Sequence, residues 1–303
     1  MRLATTTGDL ERWFPTYEEQ LSQIAEAGFK NVDLSMYRMG PAHRFMGEDW
    51  EREVDKVAEC AARLGLTFVQ AHSIGGNPLC RDANFDHLLA ATVRSVEVCG
   101  KLGIPATVVH SGVMAGIGQE EYYRLNRDFY RLLFPAMEKT GVAVLIENSC
   151  KPNMGGNYFF FDGQDMKDFL RYVDHPLLHA CWDTGHANVE GHQYEDIVAL
   201  GDDLWALHIN DNRGGGDEHV MPFLGTTSFD EVMQALAAIG YNRHFTLECD
   251  SSLRPYLCWQ GNRRAFGEKG PLAEPPRELG VIMEKALYVA GAHLLRTYGY
   301  EVE

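Results

Sequence analysis

The 303-residue sequence has no CxxC pair, although it contains seven Cys: Cys60, Cys80, Cys99, Cys150, Cys181, Cys249 and Cys258. An odd and scattered set argues against a disulfide frame and reads as reduced, mostly buried thiols in a cytosolic protein. No apolar run approaches about 18 residues, so no helical membrane span is expected. The N-terminal MRLATTTGDLERW lacks a long apolar stretch and reaches Asp9 and Glu11 early, unlike a signal peptide. Basic residues are scarce, with 27 Lys and Arg against 43 Asp and Glu and a formal charge of −16. Neither duplex DNA nor an anionic membrane is attracted electrostatically by such a chain, whereas a small anionic substrate held by a few local Arg is not excluded. The expectation is a soluble, cytoplasmic protein with neither a nucleic-acid nor a membrane partner.

What is present is an ordinary globular composition, 45% hydrophobic and 23% charged, in a chain long enough for one large domain or two small ones. Five times a helix-like stretch runs into Gly, one apolar residue and a strand-like run, at Gly28, Gly65, Gly103, Gly141 and Gly240. A Gly at that junction supplies the left-handed conformation with which helices commonly end. Successive spacings of 37, 38 and 38 residues, then a gap of 99, leave room for further units. Helical periodicity predicts helices over 17–27, 48–64, 85–101, 119–139, 162–173, 228–239 and 278–296, with a weaker one over 192–200. Short apolar runs predict strands over 2–7, 31–36, 67–72, 106–111, 142–148, 178–184, 204–210 and 244–249. Eight such alternations point to a single closed (β/α)8 barrel spanning 1–303. The alternative, a doubly wound open sheet, wants a Gly-rich phosphate turn after its first strand, and TTTGDLERW offers none.

In a barrel the catalytic groups sit at the C-terminal ends of the strands. Strand 3 ends in His72, strand 4 in His110 and strand 5 in Glu147. Strand 6 ends in Asp183, with His186 one turn on, and strand 7 ends in His208, with Asp217 and His219 in its loop. Strand 8 ends in Glu248. Any one of these has a bland reading, a satisfied polar residue or a helix cap. Six consecutive strand ends gathered around one axis are different, because so much carboxylate repels itself without a partner. A bound divalent cation is that partner. Imidazole and carboxylate without thiolate suit Mn, Zn, Co or Fe better than Ca. Cys249 adjoins Glu248, but its side chain is expected on the opposite face of the strand.

The segments LIEN, DTGHAN, HINDN followed by DEH, and TLE, in this order and at strand ends, resemble the xylose-isomerase-like barrels. That superfamily contains sugar and sugar-phosphate isomerases and epimerases, and also the endonuclease IV type of abasic-site nuclease. The resemblance implies that Glu147, Asp183, His208 and Glu248 hold a single metal, that His186 binds substrate and that Arg213 holds substrate hydroxyls. His72, His110, His186, Asp217 and His219 match the additional ligands with which the nuclease branch holds two further zinc ions. Two departures stand out: MPFLGTTSFD keeps Gly225 but places Thr227 where a second Gly is usual, and the chain has no basic run beyond Arg263-Arg264.

The resulting expectation is a metal-dependent isomerase or epimerase of a sugar or related keto or aldo polyol, phosphorylated or not. Glu147 and Glu248, on opposite sides of the mouth, are expected to act as base and acid on a planar enediolate. The alternatives are a zinc phosphodiesterase acting at abasic sites, a metal-dependent lyase on a keto-sugar, and a non-enzymatic binding barrel. Loop aromatics Trp13, Phe14, Tyr37, Phe45 and the run Tyr158-Phe159-Phe160-Phe161 read either as a sugar-stacking wall or as loop packing. The segment 250–277 reads as a lid or as a homo-oligomer contact.

Overall fold

The computed structural model describes residues 1–191, 193–250, 252 and 276–302. Strands and helices alternate from the first residues: β1 (Arg2–Thr6), α1 (Tyr17–Ala27), β2 (Asn31–Ser35), α2 (Trp50–Leu64), β3 (Thr67–His72), α3 (Phe85–Leu102) and β4 (Ala106–Val108). There follow α4 (Gln119–Tyr130), α5 (Phe134–Thr140), β5 (Ala143–Glu147), α6 (Gly163–Val173), β6 (Leu178–Asp183), α7 (Thr184–Glu190) and α8 (Tyr194–Leu200). The described chain ends with β7 (Leu204–His208), α9 (Phe229–Ala238), β8 (His244–Leu247) and α10 (Arg277–Thr297).

All strand pairs are parallel, in the order β7-β6-β5-β4-β3-β2-β1-β8. The seam between β7 and β8 is closed by Ile209 N–H donating to Thr246 O at 2.8 Å and Glu248 N–H donating to Ile209 O at 3.0 Å. The molecule is therefore a closed (β/α)8 barrel. The five junction glycines adopt positive φ, from 66° at Gly240 to 111° at Gly28, so each helix is stopped where the next strand must begin.

Two cores divide the apolar residues. Ala106, Val108, Ala143, Leu145, Cys181 and Ala206 fill the inside of the barrel. The larger cluster, including Leu21, Ile24, Val57, Val96, Phe169, Ile197 and Leu236, packs helices onto the outer face of the strands. Toward the C-terminal ends of the strands the interior turns polar, with Thr246 Oγ1 donating to Gln70 Oε1 at 2.9 Å and Thr6 Oγ1 to Asp33 Oδ1 at 3.3 Å.

Several strands end one to three residues early, β4 at Val108 rather than 111 among them, and two helical regions depart further from the sequence expectation. The helix expected over 119–139 is broken into α4 and α5, because Pro135 in the first turn of α5 cannot donate to a helix running through from α4. An extra short helix, α7, follows β6 directly, capped by the Asp183 carboxylate, which accepts from His186 N–H at 2.7 Å. Apart from Asp250, Ser252, Pro276 and Arg277, the segment 250–277 lies outside the described residues. The six described Cys are free thiols, and Cys249 is buried in the outer core. No helix among the described residues is long and apolar enough to cross a membrane.

Candidate metal centre

Each strand from β3 to β8 delivers its ionisable residue to one end of the barrel. His72, Glu147, Asp183 and His208 are the last residues of β3, β5, β6 and β7, while His110 and Glu248 follow β4 and β8 by two residues and one. Ligand atoms of Glu147, Asp183, His208 and Glu248 all lie within 4.8 Å of one another. The same limit holds within two further groups, His72–Glu147–His208 and Asp183–His186–His219.

His208 is the hub. Its Nδ1 lies 2.6 Å from Glu147 Oε1 and 3.3 Å from Glu248 Oε2. Glu147 presents its other oxygen to His110 Nε2 at 2.9 Å, with His72 Nε2 at 3.8 Å. His72 Nδ1–H donates to Ser73 O at 2.8 Å, an orientation that turns Nε2 toward the cluster. Asp183 is held from both sides: Asn148 pairs with its backbone at 2.6 and 2.9 Å, and Asn210 Nδ2 donates to its Oδ2 at 2.7 Å.

Beside this lies a second knot from the β7 loop. Asp217 Oδ2 accepts from His186 Nε2 at 3.1 Å and from Asn153 Nδ2 at 2.8 Å, and Asp217 Oδ1 lies 2.9 Å from His219 Nε2. His219 sits at φ 46°, which turns its Nδ1 to within 3.2 Å of Glu248 O.

Electrostatics follow from burial and pairing. Burial alone raises the Glu147 carboxyl, but the His208 charge and the hydrogen bonds of His110, His208 and His72 outweigh it and hold the group well below the carboxylate range. Glu248 moves the other way, raised chiefly by burial despite His208 and His219. Burial lowers His186, yet Asp183 and Asp217 together lift it to about 9.

The donor set fits a divalent cation. Carboxylate oxygens and imidazole nitrogens converge at ligand spacing. Several buried polar atoms there lack a hydrogen-bond partner, including His208 Nε2, His186 Nδ1 and Asp33 Oδ2. Glu147, Asp183, His208 and Glu248 are the residues that would hold the ion.

A cavity of about 490 Å³ opens above the cluster. Its walls include the predicted His72, His110, Glu147, His186, Asp217, His219 and Glu248. Asp183 and His208 lie beneath, 0% and 1% exposed. Arg213 is not brought to the cavity: its side chain is 70% exposed and paired with Glu218 at 3.3 Å. In the following loop Gly225 N–H and Thr227 N–H donate to the two oxygens of buried Asp211, so Thr227 keeps the turn through its backbone. Of the loop aromatics, Tyr37 and Tyr158 line the cavity. Tyr37 stands edge-on to His72 and His110 at 5.3 and 5.9 Å between ring centres. Trp13, Phe14, Phe45 and Phe160 are buried in the outer core.

Sequence reasoning missed Asp33, 1% exposed in β2 and 3.9 Å from His208 Nε2. It also missed Asp9, whose carboxylate accepts from Cys249 N–H at 2.9 and 3.0 Å. The available signal was an acidic residue inside or just after an apolar run.

The sequence matches the family model described as xylose isomerase-like TIM barrel over residues 21–267. An uncharacterized protein, y4fM of Sinorhizobium fredii, is 25% identical over 268 residues, covering 78% of this chain and 83% of that protein. A probable endonuclease 4 of Cenarchaeum symbiosum is 30% identical over 169 residues, 50% of this chain and 58% of its own. Among solved structures, a D-tagatose 3-epimerase-like protein superposes with a TM-score of 0.72 at 17% identity, covering 99% of this chain and all of that one. The match to the family model takes in most of the barrel and all six strand-end residues, and the chain belongs to the xylose isomerase-like TIM barrel family.

Proposed function

We propose that the protein is a divalent-metal-dependent isomerase or epimerase of a sugar or related polyol, working by proton transfer beside a carbonyl. The observation that carries this reading is the convergence of Glu147 and Glu248 on one nitrogen of His208, with Asp183 beneath, at the floor of a walled cavity. The structural likeness to a D-tagatose 3-epimerase-like protein supports the same chemistry on this fold.

Glu147, Asp183, His208 and Glu248 would hold the ion, Mn, Zn, Co or Fe, whose charge would polarise a substrate carbonyl and acidify the adjacent C–H. Everything else falls to the chain. Glu147, held ionised by its imidazoles, is placed to take or return a proton at the substrate carbon. Glu248 approaches from β8, separated from β5 around the ring by β6 and β7, and handles the proton of the other face. Base and acid on two faces suit epimerisation, and one face alone suits an aldose–ketose shift. His186 and Asn153 offer hydrogen bonds to substrate hydroxyls, and Tyr37 and Tyr158 cover the apolar side and exclude water.

Glu147→Gln and Glu248→Gln are each expected to lower turnover by about 100-fold or more while leaving a folded barrel. Circular dichroism and a melting curve check the fold, and solvent-deuterium exchange into the sugar checks the chemistry. Wild-type exchange in either variant contradicts the reading.

The Asp217–His186–His219 knot favours a second reading, a three-zinc phosphodiesterase acting at abasic sites, to which the endonuclease 4 relative adds weight. Three zinc ions per chain together with cleavage of abasic DNA would establish it. The net charge of −16 opposes it, because a DNA backbone must be drawn in by Lys and Arg.

A further inference from the structure

Tyr37 follows β2 by two residues, lines the cavity and is 47% exposed, although its ring stands edge-on to His72 and His110. Among the described residues its hydroxyl has no hydrogen-bond partner. The peptide groups around it are tied down instead. Met36 N–H donates to His72 O at 2.7 Å and Gly75 N–H donates to Tyr37 O at 3.0 Å, which fastens the turn after β2 to the segment after β3.

Gly75 gives the ring its seat. It is not among the glycines of positive φ, so its backbone accepts alanine. What the position requires is the missing Cβ: one built there would overlap Tyr37 Cζ and stand 2.8 Å from Cε1. The overlap falls at the end of the ring that carries the hydroxyl, so a side chain at 75 turns that hydroxyl aside. Partial burial first, and then the charges of Glu147 and Glu248, raise the phenol above its ordinary value. Both carboxylates are therefore felt at one hydroxyl, which keeps its proton at neutral pH and remains a donor.

Proton transfer beside a carbonyl moves electron pairs. As a carboxylate takes the proton, the C–H pair becomes the C=C bond of an enediolate and the carbonyl pair moves onto oxygen. When the proton returns to carbon, that pair forms the C–H bond again and the oxygen pair restores the carbonyl. A donor aimed at the oxygen gains strength as the charge develops, so it favours the transition state over the ground state.

We propose that Tyr37 is a further catalytic residue, its hydroxyl donating a hydrogen bond to the substrate oxygen that gains charge between Glu147 and Glu248, with Gly75 as its positioning residue. Tyr37 keeps its own proton throughout. The inference rests on the isomerase or epimerase reading above and deepens it by adding a group that touches the substrate.

The test uses the full chain loaded with Mn and two ketose probes, D-fructose and D-ribulose, in D2O. Tyr37→Phe keeps the ring and removes only the hydroxyl. It is expected to lower kcat for exchange by about tenfold or more with KM held within about threefold, as when a donor to a developing oxyanion is lost. Affinity for D-erythronohydroxamate, a planar mimic of the enediolate, falls by a matching factor in calorimetry, while Mn affinity is unchanged. Gly75→Ala is expected to lower kcat comparably, and to have no further effect in a Tyr37→Ala background, where no ring is left to displace. Full kcat in Tyr37→Phe is what a purely covering ring would give, and it overturns the inference while leaving the isomerase or epimerase reading standing. A Gly75→Ala loss that persists undiminished on Tyr37→Ala overturns the role given to Gly75. A wild-type chain that exchanges neither ketose overturns the underlying reading and this inference with it.

Discussion

His208 faces Glu147 and Glu248 through one ring nitrogen and has Asp33 3.9 Å from the other. Those three carboxylates come from β5, β2 and the end of β8, which only closure of the barrel brings together. The ionisable strand ends were legible in the sequence because each terminates a short apolar run, a contrast that survives without any structure. Asp33 was not, because it sits within an apolar run whose two faces are both covered, so no polar–apolar alternation marks the inside. Arg213 shows the opposite limit: proximity in sequence to His208 did not place its guanidinium in the cavity. Glu284 was also invisible, as one acid on an amphipathic helix, yet it is fully buried on α10. Burial lifts its carboxyl to about 8, only partly offset by the Thr5 hydroxyl. A group raised on folding adds stability that is complete below its unfolded value, near 4.5, and is lost as pH climbs through 8. Glu284→Gln is therefore expected to flatten the pH profile of urea unfolding between pH 5 and 8. At pH 8 the gain should be on the order of a few kcal/mol. An identical pH slope in both proteins contradicts the assignment.

At the scale of elements, the turn from β6 into α7 does the most for the site. Gly185 is required there by close approach: a Cβ at that position would stand 1.8 Å from Asn210 Oδ1. Asn210 cannot yield freely, since its Nδ2 anchors Asp183 Oδ2 and the residue is fully buried. Gly185→Ala is expected to push the amide off Asp183, costing about 1–3 kcal/mol of stability. Cation affinity should fall by about 10-fold or more, as when a residue supporting a metal ligand is lost. Chemical denaturation and a metal titration check the two effects, and unchanged affinity contradicts the anchoring role. The same turn explains what was hard to read in the sequence. Helix α7 has seven residues and few apolar positions, too short for a period to register, whereas its cap, Asp183, was already visible as a strand end. The long helix expected over 119–139 failed for a local reason, Pro135, whose signal was outweighed by apolar periodicity on both sides of it.

For the whole molecule, five left-handed glycines and eight parallel strands set one ring of side chains at one end, and the fold was legible because that unit repeats. A cation bound by the folded chain and not by the unfolded one adds stability in proportion to its excess over its dissociation constant. Chelation is expected to lower Tm, and readdition of Mn or Zn to restore it with a dependence on metal concentration. A Tm indifferent to chelator contradicts a cation in this cluster. The most direct test of the central claim is deuterium exchange into keto- and aldo-sugars in D2O, with metal content measured on the same sample. The account predicts at least one divalent ion per chain and exchange at a single carbon beside the carbonyl, abolished by chelation. A metal-loaded protein that exchanges no carbon-bound hydrogen in any sugar, yet cleaves abasic DNA, would contradict it.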